Sequence, residues 1–115
     1  MNMKTLPAWD DLATTFKILS HPARLQIAAV LSEQETCVCH LEALLGRRQA
    51  YISQQLMVLR KAGWLTERRE GHFVFYGLAE ERVATVLAQA TAVFAPASIS
   101  LPMTAAACNC PQCSF

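Results

Sequence analysis

Between Cys37 and Gly63 the chain reads CVCHLEALLGRRQAYISQQLMVLRKAG. Leu41, Leu44 and Leu45 form a short apolar stripe at helical spacing, and Ile52, Leu56 and Leu59 form a second at i, i+4, i+7. Gly46 stands between them and can take the left-handed conformation that closes a helix. Two short helices joined by a tight turn make a helix-turn-helix. The outward face of the second helix then carries Gln49, Tyr51, Ser53 and Gln54 in its first turns, side chains suited to hydrogen-bonding base edges and phosphates. A pair of thiols, Cys37 and Cys39, sits at the mouth of the motif.

The charge pattern around this stretch supports a nucleic-acid surface. The net charge is only +1, but six of the ten basic residues (Arg47, Arg48, Arg60, Lys61, Arg68 and Arg69) fall between Arg47 and Arg69 against one acid, Glu67, a local charge of +5. A solvated face requires no such segregation, whereas phosphate binding does. At 115 residues and 53% hydrophobic, the chain can build one domain with a small core that gains from further burial in a dimer.

The N-terminal MNMKTLPAWDD has no apolar segment behind its lysine, so no secretory signal is read and the expected compartment is the reducing cytoplasm. Five cysteines in two tight clusters then favour metal ligation or redox sensing over a disulfide framework. No charged residue occurs from Val83 to Phe115, but Pro96, Pro102 and interspersed Gln, Ser and Thr break every long apolar run, so no membrane span is expected.

Outward from the motif, Trp9, Leu12, Ala13, Phe16 and Leu19 predict an amphipathic first helix over Ala8–Leu19, packed on the core or on a partner chain. His21-Pro22 ends it and starts a second helix over Ala23–Leu31, with Glu33–Glu35 as a loop. After Gly63 the period shortens: Trp64–Arg69 and His72–Leu78 read as a β-hairpin turned at Glu70-Gly71, with Phe73 and Phe75 on one face and Val74 and Tyr76 on the other. Glu80 and Glu81 open a last helix whose Val83, Val86, Leu87, Ala90 and Phe94 line one face, and Pro96 ends it. Residues 1–95 form the domain and residues 96–115 a flexible tail carrying Cys108, Cys110 and Cys113. The fold class is mainly α with a β-hairpin wing: a winged helix-turn-helix, dimeric.

In this order of elements, and in SHPARLQI (Ser20–Ile27), ETCVCHL (Glu35–Leu41), ISQQLMVLRKAGWL (Ile52–Leu65) and RREGHFVFYGL (Arg68–Leu78), the chain resembles the ArsR/SmtB family of bacterial metalloregulatory repressors. The resemblance implies a homodimer, joined through its first and last helices, that binds double-stranded operator DNA and lets go when a metal or metalloid binds. It sets the recognition helix on Gln49–Ala62, with Gln49, Ser53 and Gln54 matching base or phosphate contacts and Tyr51 in place of a more usual polar residue. Glutamine can pair bidentately with adenine, so Gln49 and Gln54 are the candidates for sequence readout. Arg47, Arg48, Arg60, Arg68 and Arg69 are the candidates for phosphate, and His72 on the wing for phosphate or solvent.

Cys37-Val38-Cys39 resembles the family's arsenic and cadmium/lead sensing motif, with departures. The third cysteine of enteric-type arsenic sensors is replaced by Glu42, the N-terminal cysteines of cadmium/lead sensors are missing, and Glu81–Phe94 lacks the His and Asp ligands of the zinc sites. Completion of the shell therefore falls to Cys108, Cys110 or Cys113, either shared with the first pair or forming a second site. On a regular helix residues two apart point about 200° from each other, so Cys37 and Cys39 are expected to need an unwound or re-aimed turn before gripping one ion. A helix N-terminus favours the thiolate that soft ions select. Trivalent arsenic (with antimony) ranks first as effector because three thiolates complete its shell, followed by cadmium or lead, then zinc. A thiol-based redox or persulfide sensor and a thiolate metal carrier are the alternatives. No organic cofactor and no enzymatic constellation is read: there is no Gly-rich phosphate loop, and His21, His40 and His72 are scattered.

Overall fold

A computed structural model describes residues 7–94. In chain order the elements are α1 (Pro7–Leu19), α2 (Pro22–Glu33), β1 (Thr36–Cys37), α3 (Val38–Leu45), α4 (Gln49–Lys61), β2 (Leu65–Glu70), β3 (Phe73–Leu78) and α5 (Glu81–Phe94). The architecture is the expected winged helix-turn-helix. The tail from residue 96 onward, with its three cysteines, lies outside the described residues.

The turns are set by local chemistry. Pro22 occupies the first turn of α2 behind an extended His21, where its missing N–H costs nothing. Gly46 ends α3 at φ 64. At the end of α4, Gly63 at φ 79 donates its N–H to Arg60 O while Trp64 donates to Leu59 O, the paired bonds of a Schellman cap. That cap swings the chain from α4 directly into the wing.

The core lies among α2, α3, α4 and α5. Ile27, Leu41, Ile52 and Leu59 are fully buried, with Val30, Leu31, Leu56, Trp64, Val83 and Leu87 packed around them. The first and last helices bury little of their apolar stripes in the single chain. The α1 stripe is not a core stripe in the single chain: Leu19 is buried, but Trp9, Leu12 and Phe16 are 61%, 44% and 55% exposed. On α5 only Val83 and Leu87 are buried, and Phe94 is 85% exposed. A groove of about 540 Å³ lined by Leu12, Trp64, Glu80, Val83 and Val86 runs between these two helices. No helix among the described residues is long and apolar enough to cross a membrane.

The stretch read as the loop Glu33–Glu35 is also different. Helix α2 continues through Glu33, and Thr36–Cys37 adds a strand to the hairpin, giving an antiparallel sheet in the order β1-β3-β2. The register pairs Cys37 with Phe75 and Phe75 with Arg68. One face of this sheet turns Leu65, Tyr76 and Leu78 toward the main core. The other carries Phe73 and Phe75 into a separate small cluster with Cys37 and Cys39.

Just before α5, the Glu80 carboxylate accepts the backbone N–H of Arg82 at 3.1 Å and its guanidinium at 2.8 and 2.7 Å. The guanidinium bonds, then the backbone bond, hold the Glu80 carboxyl down at about 2 from its ordinary 4.5. A depressed carboxyl stabilises the fold above its unfolded value and loses that contribution as pH falls through the folded value. Glu80→Gln is therefore expected to flatten the fall in thermal stability between pH 4.5 and 2. An unchanged acid limb in thermal melts of the variant contradicts this.

Candidate nucleic-acid interface and thiol site

Helix α4 buries Ile52, Gln55, Leu56 and Leu59 and leaves Gln49 and Gln54 exposed and Ser53 half-buried. Arg47 and Arg48 are exposed in the turn before it. Tyr51 is not a free surface residue. Its hydroxyl lies 3.4 Å from His21 Nε2, and the Arg47 guanidinium stacks over its ring at 5.0 Å. Tyr51 thus braces the first turn of α4 against the start of α2 and steadies Arg47, and His21 enters the site through it. Nothing in the sequence pointed to His21, because the contact spans 30 residues.

The basic residues read as one phosphate-binding set fall into distinct environments. Arg60 is paired with Glu67 at 3.0 Å. Arg69 pairs in register with Val74, while Arg68 pairs with Phe75, so alternation along the strand sends the two to opposite faces of the wing. His72 is exposed at the hairpin tip. Arg68 is held by Glu70 and Glu35, each at 3.0 Å, and lies over the Phe75 ring at 4.7 Å. The bonds to Glu70 and then Glu35 raise its pKa further above its ordinary value, so its charge is constant under all working conditions.

The thiols meet without any unwinding, which corrects the expectation drawn from helix geometry. Helix α3 starts at Val38, and Cys37 is its N-cap, extended at φ −83, ψ 163. Only Cys39 lies within the helix. The 200° separation of a regular turn therefore does not apply, and the two Sγ atoms stand 2.9 Å apart. Cys37 Sγ accepts the His40 N–H at 3.4 Å, the place a capping oxygen takes in other helices. Cys37 is 2% exposed and Cys39 is half-buried, so a reagent reaches the pair from the Cys39 side. The donor set of two convergent sulfurs suits a soft ion. Among the described residues no group of three His, Cys, Asp or Glu gathers to hold one, so the pair is at most part of a ligand shell.

The profile of the family described as "Bacterial regulatory protein, arsR family" matches residues 21–66. The biofilm growth-associated repressor of Agrobacterium fabrum is 45% identical over 93 residues, covering 77% of this chain and 80% of that protein. This chain belongs to the ArsR/SmtB family. Two solved structures agree with this ArsR-family assignment. The transcriptional repressor BigR from Xylella fastidiosa superimposes with TM-score 0.72 at 35% identity, covering 82% of this chain and 97% of that one. The homodimeric winged helix-turn-helix DNA-binding domain of Mb0332 from Mycobacterium bovis does so with TM-score 0.68 at 29% identity, covering 81% and 86%. As a family member the chain is a DNA-binding transcriptional repressor and not an enzyme.

Proposed function

We propose that two copies of this chain bind double-stranded operator DNA, and that they let go when a thiophilic effector engages Cys37 and Cys39. Trivalent arsenic or antimony is the first choice of ion, with a cysteine from Cys108, Cys110 and Cys113 completing the shell. The observation that carries the reading is the 2.9 Å approach of the two sulfurs at the start of α3, the helix that leads through one turn into α4. The dimer reading rests on the exposed Trp9, Leu12 and Phe16 of α1 and Val93 and Phe94 of α5, and on the homodimeric neighbour. Light scattering at micromolar concentration in reducing buffer tests it, and a monomer there sinks it.

A second reading has its own support. In a tetrahedral thiolate–metal site the sulfurs stand about 3.8 Å apart, given metal–sulfur bonds near 2.3 Å, whereas a disulfide needs about 2.05 Å. The observed separation lies between the two, so oxidation of the thiols, or their conversion by a persulfide, is as close at hand as ligation. Release from operator DNA, titrated in parallel with arsenite, cadmium, zinc, peroxide and a persulfide donor, separates the readings. Response to peroxide or persulfide alone overturns the metal reading, and response to none overturns both.

For the DNA surface, Arg47→Ala is expected to weaken binding to all sequences and to lower the salt slope by roughly one. Gln54→Ala is expected mainly to erase a preference worth about 1–3 kcal/mol at one base pair. Competition with random DNA at several salt concentrations distinguishes them. Equal loss on specific and random DNA for Gln54→Ala rules out base readout.

A further inference from the structure

Cys37, Phe75 and Arg68 are directly opposite one another across β1, β3 and β2. Residues so paired project from the same face with Cβ atoms about 4.5–5.5 Å apart. Phe75 is 3% exposed and packs with Cys37, Cys39 and Phe73, apart from the main core. The same ring carries the Arg68 guanidinium at 4.7 Å. One buried aromatic side chain therefore touches both the thiol cluster and the wing cation.

A second strut follows the same route. Glu35, two residues before Cys37, reaches Arg68 Nε at 3.0 Å. Its path crosses β3 at Gly77, where a Cβ would stand 2.7 Å from Thr66 Oγ1 and 3.4 Å from Glu35 Cγ. With Glu70 of its own strand on the remaining side, the wing arginine is held by a carboxylate from β2, by one from the residue just before β1, and by the ring between them.

We propose that this cross-strand ladder, Cys37–Phe75–Arg68 with Glu35 as its strut, is the element that couples the thiols to the wing's grip on DNA. It rests on the reading of Cys37 and Cys39 as the effector site. Engagement changes the 2.9 Å sulfur separation, and because buried Cys37 packs directly on buried Phe75, the ring moves with it. The floor under Arg68 moves with it. Any shift of β1 also pulls Glu35 away from the guanidinium. Phe75 and Glu35 are positioning residues in this scheme: neither binds the effector, and both set where the Arg68 charge is presented.

The test uses the full chain with Phe75→Leu and Glu35→Gln, the latter an exposed and nearly isosteric change. Two quantities are read for each protein: sulfur–arsenic absorption on titration with arsenite, and the ratio of operator Kd with and without arsenite, each variant against its own apo value. A peroxide arm reads thiol loss and the same Kd ratio. The expected result is unaltered thiol reaction in both variants, with the Kd ratio reduced by about 2- to 30-fold. Should Phe75→Leu not fold, Glu35→Gln alone decides. A wild-type response that persists undiminished in the folded variants overturns the ladder and leaves the effector reading standing. No wild-type thiol reaction and no release with either reagent overturns the effector reading and the ladder with it.

Discussion

Cys37→Ser is expected to keep full operator affinity and to lose effector-driven release altogether. The separation of the two effects follows from the place of Cys37 in the fold. It is the N-cap of α3 and accepts the His40 N–H, a task serine performs at least as well. The substitution is small, and its side chain keeps an acceptor where the sulfur had one. What disappears is the soft nucleophilic sulfur that ions and oxidants select. Ligand-induced changes of affinity between coupled sites commonly run from about 5- to 150-fold, and the variant's ratio should fall to about one. Gel-shift or anisotropy titrations with and without arsenite measure it. Normal release by Cys37→Ser, with Cys39→Ser also normal, would falsify the assignment of the effector site to this pair.

Leu59→Ala is expected to produce a large loss of stability. Leu59 has no exposed surface, and its carbonyl receives the Trp64 N–H of the cap that turns the chain into the wing. Removing a fully buried leucine side chain costs about 2–5 kcal/mol, against a total of about 5–15 kcal/mol for a domain of ordinary stability. In a domain of this size a fall in Tm of at least about 10 °C follows. Leu59→Met, which conserves volume, should cost less than about 1.5 kcal/mol. Thermal melts at one fixed protein concentration make the comparison, because dimerisation makes Tm concentration-dependent. A shift of only a few degrees for Leu59→Ala would mean that the site collapses around the smaller side chain.

The helix-turn-helix was legible in the sequence because its information is local. The stripes at Leu41/Leu44/Leu45 and Ile52/Leu56/Leu59 have helical period, and the two glycines read as a stop and a turn, Gly46 and Gly71, both have positive φ, a region that disfavours side chains with a Cβ. The alternation of HFVFYGL likewise specified a two-faced strand, and the two faces do enter different clusters. The first helix was equally visible, but its periodicity could not say whether Trp9, Leu12 and Phe16 face the core or a partner. Both fates require the same stripe.

What the tertiary structure alone decided are the arrangements that depend on pairing between distant segments. A two-residue strand has no period to detect, so β1 exists only because Thr36 and Cys37 find Tyr76 and Phe75 across the sheet. That pairing takes Cys37 out of the helix and lets its sulfur meet Cys39, where sequence geometry placed the two thiols on opposite sides. It also separates Arg68 from Arg69, neighbours in sequence that strand alternation sends to opposite faces. Arg68 acquires Glu35 as a partner 33 residues away, over a glycine whose missing side chain leaves the path open. The residue types of the site were determined by the sequence itself. Their convergence into a thiol pair joined to a wing was decided by strand register, which is a property of the folded sheet and not of any local stretch.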